Sequence, residues 1–149
     1  MRLAAYLWQL PQNILGWFFS KIWTRWLELA ELRTAYLKGL PIYIFIVSAY
    51  SHRRHKLLSL VSGFSAGQYI FLNDRHDVTD IRHELGHSAQ SLYLGPLYLP
   101  IVGIPSICWN LWDRRFHKRW TPQERVRWYY GRFPENWADR LGGADRKIL

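Results

Sequence analysis

The sequence predicts an α+β fold, a single mostly helical domain with a small β-hairpin beside the helix that carries its most informative motif. Three observations lead there. Long stretches show helical apolar periodicity bounded by Pro and Gly, two short strand-like runs flank a Gly/Ser-containing turn, and residues 83–87 read His-Glu-Leu-Gly-His. With 149 residues, 49% of them hydrophobic and 17% aromatic, the chain can bury one core, and this excludes a disordered protein. No repeat, low-complexity tract or linker divides it, so residues 1–149 are read as one domain. Within it, 1–40 is an aromatic amphipathic N-terminal element and 55–149 is the core around the motif.

From the N-terminus, Met1–Leu10 makes a poor signal peptide, with one Arg and no clear cleavage site. Pro11 to about Lys38 is expected to be one helix, started by Pro11 and ended by Gly39-Leu40-Pro41. Leu15, Phe19, Ile22, Trp26 and Leu29 mark its apolar stripe. Trp8, Trp17, Phe18 and Trp23 widen that surface beyond the needs of a small core, so the helix is read as an ordinary core helix or, alternatively, as one lying in a membrane interface. Leu40–Tyr50 is apolar but too short to span a bilayer. Leu57–Val61 and Gln68–Leu72, joined by residues 62–67, are expected to form the hairpin.

Asp77 or Thr79 then caps a helix from about Asp80 to Leu94, stopped by Gly95-Pro96. Its core face is Ile81, Leu85, Ser88 or Ala89, and Leu92, which leaves His83 and His87 facing the hairpin or a cleft. Ser88–Trp112 carries no charge, yet Gly95, Pro96, Pro100, Gly103 and Pro105 would break a spanning helix, so irregular buried or interfacial chain is expected. Cys108 within it reads as a small core residue. Thr121-Pro122-Gln123-Glu124 is a capping-box start for a helix ending near Gly131. Pro134–Leu141 forms a last helix, closed by Gly142-Gly143.

The formal charge is +9, and its excess is clustered. Arg114, Arg115, Lys118, Arg119, Arg125, Arg127 and Arg132 are opposed locally only by Asp113 and Glu124, and Arg53, Arg54 and Lys56 form a second run beside His52 and His55. Such patches fit an anionic membrane surface, acidic protein or, as a weaker alternative, nucleic acid. One cysteine rules out an intramolecular disulfide and a Cys-rich zinc ribbon, and makes a reducing cytoplasmic compartment the default, with peripheral membrane attachment as an addition. No convincing signal peptide or spanning helix is expected.

The chemistry centres on residues 83–87. On a helix, His83 and His87 project from one face and can bind one Zn²⁺, while Glu84 is placed to act on a water at the metal. A catalytic zinc needs a third protein ligand, and Glu135, Asp139, His117, Cys108 and His76 are candidates. The sequence favours Glu135, at the start of the last helix. Asp139, four residues on, shares its face, so one carboxylate can ligate while the other accepts a hydrogen bond from a ligating imidazole. Ala138 is small enough to let this helix approach the histidines.

HExxH followed by ExxxD on a later helix resembles the gluzincin zinc metallopeptidases. Leu94–Pro100 and Trp137–Gly143 also look like the corresponding strings of small bacterial proteins carrying this site. The resemblance implies a minimal zincin-like domain, His83, His87 and Glu135 as zinc ligands, Glu84 as general base, Asp139 behind a histidine, and a peptide or protein substrate. It also implies that the strand before the motif, Gln68–Leu72, receives substrate along its edge. Gln90 and Tyr93 stand where a metzincin would have Gly and His. His117, Tyr129 and Tyr130 are the candidate oxyanion donors. A zinc-stabilised module without activity, or a basic binding module, are the alternatives.

Overall fold

The computed structural model describes residues 2–48 and 63–146. These form six helices and one four-stranded sheet, a mixed α+β architecture. The expected strand Leu57–Val61 and the basic run Arg53, Arg54 and Lys56 lie outside the described residues.

Helix α1 covers Arg2–Trp8 and α2 Leu10–Trp26. The single helix expected over Pro11–Lys38 therefore ends twelve residues early, and Leu29–Leu37 is strand β1. Leu, Ala, Glu and Arg in β1 favour a helix locally, but the next segment overrides them. Strand β2, Leu40–Val47, carries Ile42, Ile44, Ile46 and Val47, all buried, and pairs antiparallel with β1 from Leu37↔Leu40 to Leu29↔Val47. The turn has positive φ at both Lys38 (50°) and Gly39 (78°), which matches the twist of a two-residue hairpin.

The second hairpin is displaced from its expected place. Strand β3 is Gly63–Ala66, inside the segment read as a loop, and β4 is Tyr69–Asn73. Gly67, with φ of 62°, turns the chain between them. The sheet order is β1-β2-β4-β3, with β2 and β4 parallel. Gln68–Leu72 is therefore not an edge. Ile70, Phe71 and Leu72 are buried on both faces of a central strand, and among the described residues the edge nearest the motif belongs to β3.

Alternation along the strands sorts two cores. Ile42, Ile44, Ile46, Ile70 and Leu72 pack against Ile81 and Leu85 of helix α3 (Val78–Leu94). On the opposite face Val47 and Phe71 pack with Trp23 and Leu27, and Phe19 and Phe64 close around them. The sheet is thus held between α2 and α3. Helix α3 starts as expected, with Asp77 accepting from the Asp80 N–H (2.8 Å) and the Asp80 side chain returning the bond.

Beyond Gly95 the chain is not irregular, as its Pro and Gly content suggested. It runs through a 3₁₀ turn (Gly95–Leu97), a π turn (Leu99–Gly103) and helix α4 (Ile104–Phe116). Pro96, Pro100 and Pro105 each fall in the first turn of their piece, where a missing N–H costs nothing. Cys108 is exposed on α4, not in the core, because it lies on the outward face. Helices α5 (Pro122–Tyr130, with the Thr121/Glu124 capping box) and α6 (Glu135–Gly142) complete the chain.

Because the Asp77 cap fixes where the motif helix begins, Asp77→Ala should destabilise the fold by about 1 kcal/mol, read as a lower midpoint in chemical denaturation.

Candidate metal centre

Two helices cross with their backbones in contact, and this builds the site. A Cβ on Gly86 of α3 would overlap the carbonyl of Ala138 on α6, and a Cβ on Gly142 would overlap the carbonyl of Arg82. The crossing sets Glu135, on the first turn of α6, against the motif face of α3. His83, Glu84 and His87 are 5–7% exposed and Glu135 is fully buried. Ala138 is also fully buried, in the role its size suggested.

Three ligand-type atoms converge there. His83 Nε2 and His87 Nε2 are 3.1 Å apart, and Glu135 Oε2 lies 3.0 Å from the first and 3.1 Å from the second. A point about 1 Å off this triangle is about 2.05 Å from all three corners, the bond length zinc takes with imidazole and carboxylate. Among the described residues this is the one group of side chains arranged to hold a metal ion.

The outer bonds decide which ring nitrogen faces the centre. His83 Nδ1 is 2.7 Å from Asp139 Oδ1, and that carboxylate is held in turn by Arg146 Nε (3.1 Å). His87 Nδ1 lies 2.8 Å from Gln90 Oε1, while Gln90 Nε2 donates to the Pro134 carbonyl (2.9 Å), which fixes the amide's orientation. Both Nδ1 atoms thus donate outward and both Nε2 atoms turn inward. The Tyr129 hydroxyl donates to Glu135 Oε1 (3.1 Å) and leaves Oε2 to the histidines. Two imidazole nitrogens and a carboxylate oxygen this close repel one another unless a positive charge sits among them. The donor set fits a zinc ion.

Burial opposes a charge on His83, but its bonds to Asp139 and Glu135 outweigh that and raise its pKa to about 9. Burial likewise opposes charge on Glu135, yet hydrogen bonds with His83 and His87 hold it far below the usual carboxylate range. Glu84 behaves oppositely. Burial pushes its pKa up despite the nearby His87 and His83, and its Oε2 is buried with no partner among the described residues. Its Oε1 lies next to Gly63 on the β3 edge.

The three aromatic candidates separate. Tyr129 touches Glu135, and Tyr130 sits edge-on to His83 at 5.0 Å between ring centres. Burial raises both phenols above their usual range, so they stay protonated donors. His117 is engaged elsewhere: it is 3.1 Å from Asp113 and stacks on Trp120 at 3.8 Å. Cys108 and His76 make no part of the centre. A cavity of about 310 Å³, walled by Asp113, Arg114, Trp120 and Arg125, reaches Tyr129 and Tyr130 from outside.

Sequence reasoning missed Gln90 and Arg146. Gln90 had a legible signal, since it lies three and seven residues after His87 and His83 on one helical face. Arg146 had none, because its role depends on the chain turning back past Gly143.

Removing either outer acceptor, by Gln90→Leu or Asp139→Ala, should weaken zinc binding about 10- to 100-fold in a chelator-competition titration. A metal ion entering the triangle would have to displace the proton that the carboxylates hold on His83. Apparent affinity should therefore climb about tenfold per pH unit per displaced proton and level off above pH 9. Comparison with family models, with curated proteins and with solved structures yields no match, so the functional reading rests on this geometry alone.

Proposed function

We propose that the chain is a zinc-dependent metallopeptidase, a minimal gluzincin-like domain in which His83, His87 and Glu135 hold the metal. The observation that carries this reading is the 3.0–3.1 Å triangle of Nε2, Nε2 and Oε2 beside a buried glutamate, one oxygen of which has no hydrogen-bond partner among the described residues. Zinc in that triangle would supply Lewis acidity toward water and toward a peptide carbonyl. Glu84 takes the proton of the attacking water through its unpartnered oxygen and returns it to the leaving amine. Its burial suits this role, since a raised pKa makes the carboxylate a stronger base and its acid a ready donor.

Asp139 and Gln90 keep the imidazoles in the ligating tautomer, and Tyr129 aligns Glu135. Tyr130 is the oxyanion donor this reading favours: Tyr129 is committed to the carboxylate, whereas Tyr130 faces His83. The β3 edge, Gly63–Ala66, adjoins Glu84 and offers backbone groups to an extended substrate. The cavity that Tyr129 and Tyr130 help to line would take a substrate side chain in this reading.

The near-complete burial of the four site residues favours a second reading, a structural zinc without turnover. Chelation separates them, because a structural metal takes the fold with it.

Purified protein should hold one zinc per chain by elemental analysis, and Glu135→Ala should lose it. Glu84→Gln should keep the metal and lose at least a hundredfold in peptide hydrolysis, within the range general-base catalysis contributes. Tyr130→Phe should keep the metal and lower kcat more than it raises KM. Equal turnover in wild type and Glu84→Gln would remove the peptidase reading and leave the structural one.

A further inference from the structure

The helices outside the metal centre have their polarity reversed. On α2 the inward residues are Gln12 and Asn13, both 0% exposed, with buried Gly16 and Ser20, and Trp23 in the core at the C-terminal end. The outward residues are Leu10, Ile14, Leu15, Trp17 and Phe18, 38–54% exposed. Both inward amides hydrogen-bond to neighbouring elements. Gln12 donates to Ser91 Oγ (2.9 Å) and the Gly95 carbonyl (2.8 Å), and Asn13 donates to the Tyr6 carbonyl while accepting from the Gln68 N–H (2.9 Å).

The segment after Gly95 repeats the pattern. Asp113 and His117 face inward and are buried, as are Tyr98 and Val102, whereas Leu97, Ile101, Ile104, Ile107 and Leu111 are exposed. The two apolar surfaces meet where Trp8 donates to the Leu92 carbonyl (3.1 Å) and packs on Gly95. Water selects the opposite arrangement, with polar residues outside. Small residues and amide bonds between helices, under an apolar exterior, are the solution suited to lipid.

What covers this surface can be read from its borders. The apolar run of α2 gives way to Lys21 and Arg25, next to exposed Trp26. That of α4 gives way to Trp112, then Arg114, Arg115, Lys118 and Arg119, with exposed Trp120 beyond. Tryptophans at the rim and cations beyond it match the glycerol level and the charged headgroups of an anionic bilayer. A second copy of the chain would bring the same cations against them, at a charge of +9 per chain. No helix among the described residues is long and apolar enough to cross a membrane. The fit is to one leaflet.

We propose that α1, α2 and the Leu97–Trp112 face form a monotopic docking surface for an anionic lipid bilayer, entering one leaflet with the basic clusters at the headgroups. This inference stands independently of the peptidase reading.

The test is flotation of the full zinc-loaded chain with phosphatidylcholine vesicles, with or without one-third phosphatidylglycerol, alongside tryptophan quenching by brominated acyl chains. The anionic vesicles should carry the protein up, and the bromines should quench its fluorescence. Ile104→Glu/Ile107→Glu lies on the exposed face and should keep the metal content and circular dichroism of wild type while binding at least tenfold less. Arg114→Glu/Arg115→Glu should abolish the preference for phosphatidylglycerol. No flotation, or flotation without bromine quenching and unchanged by Ile104→Glu/Ile107→Glu, would overturn the proposal. So would a dimer in sedimentation that this variant dissociates without any lipid binding by wild type.

Discussion

The backbone contact between α3 and α6 is the constraint on which the rest of the site depends. Gly86 and Gly142 have no side chain to hold the helices apart, and Ala138 has almost none, so the axes approach until carbonyls touch the opposing backbone. Only at that separation can a short carboxylate on α6 reach two imidazoles on α3 at 3.0–3.1 Å. A methyl group added at either glycine would drive the helices apart and open the triangle. The middle of the HExxH string thus matters for packing as much as its ends matter for chemistry.

That proximity creates an electrostatic problem which the surrounding bonds resolve in layers. The inner triangle collects electron-rich atoms in a buried place, and each is oriented from behind. Asp139, itself held by Arg146, takes His83; Gln90, held by Pro134, takes His87; Tyr129 takes Glu135. A buried polar network with every outer bond made is rigid, and rigidity is what a metal centre needs to keep its ligands in place. Glu84 feels the charges of His83, His87 and Glu135 but keeps one oxygen without a hydrogen bond among the described residues.

The same economy extends over the molecule. The buried face of α3 is largely polar, with His83, Glu84, His87, Ser88, Gln90 and Ser91, and α2 answers it with Gln12 at Ser91. Apolar burial is concentrated in the sheet, between Ile81 and Leu85 on one side and Trp23 on the other. Much of the remaining aromatic and aliphatic content lies outside, on α1, α2 and α4. Trp8, Trp17, Trp26 and Trp112 stand exposed there without cost to the core, because the four strands and two helices, with Trp23, supply it.

Local chemistry was legible in the sequence wherever it is decided within a turn or two of chain. The Asp77 cap, the Thr121/Glu124 box, the stop at Gly143 and the shared face of His83 and His87 follow from side-chain geometry over three or four residues. Long-range pairing was not legible. Leu29–Leu37 has helix-forming residues and became a strand because Ile- and Val-rich β2 paired with it, and Gln68–Leu72 became a central strand because β3 and β2 flank it. The prolines after Gly95 looked like helix breakers until each was seen to open a new turn. The sequence alone determined the ligand types and their spacing, since those depend on residue identity and helical period. The tertiary structure decided the triangle's dimensions, the outer partners and the outward turn of the apolar faces, because these depend on distances between segments that no local rule specifies.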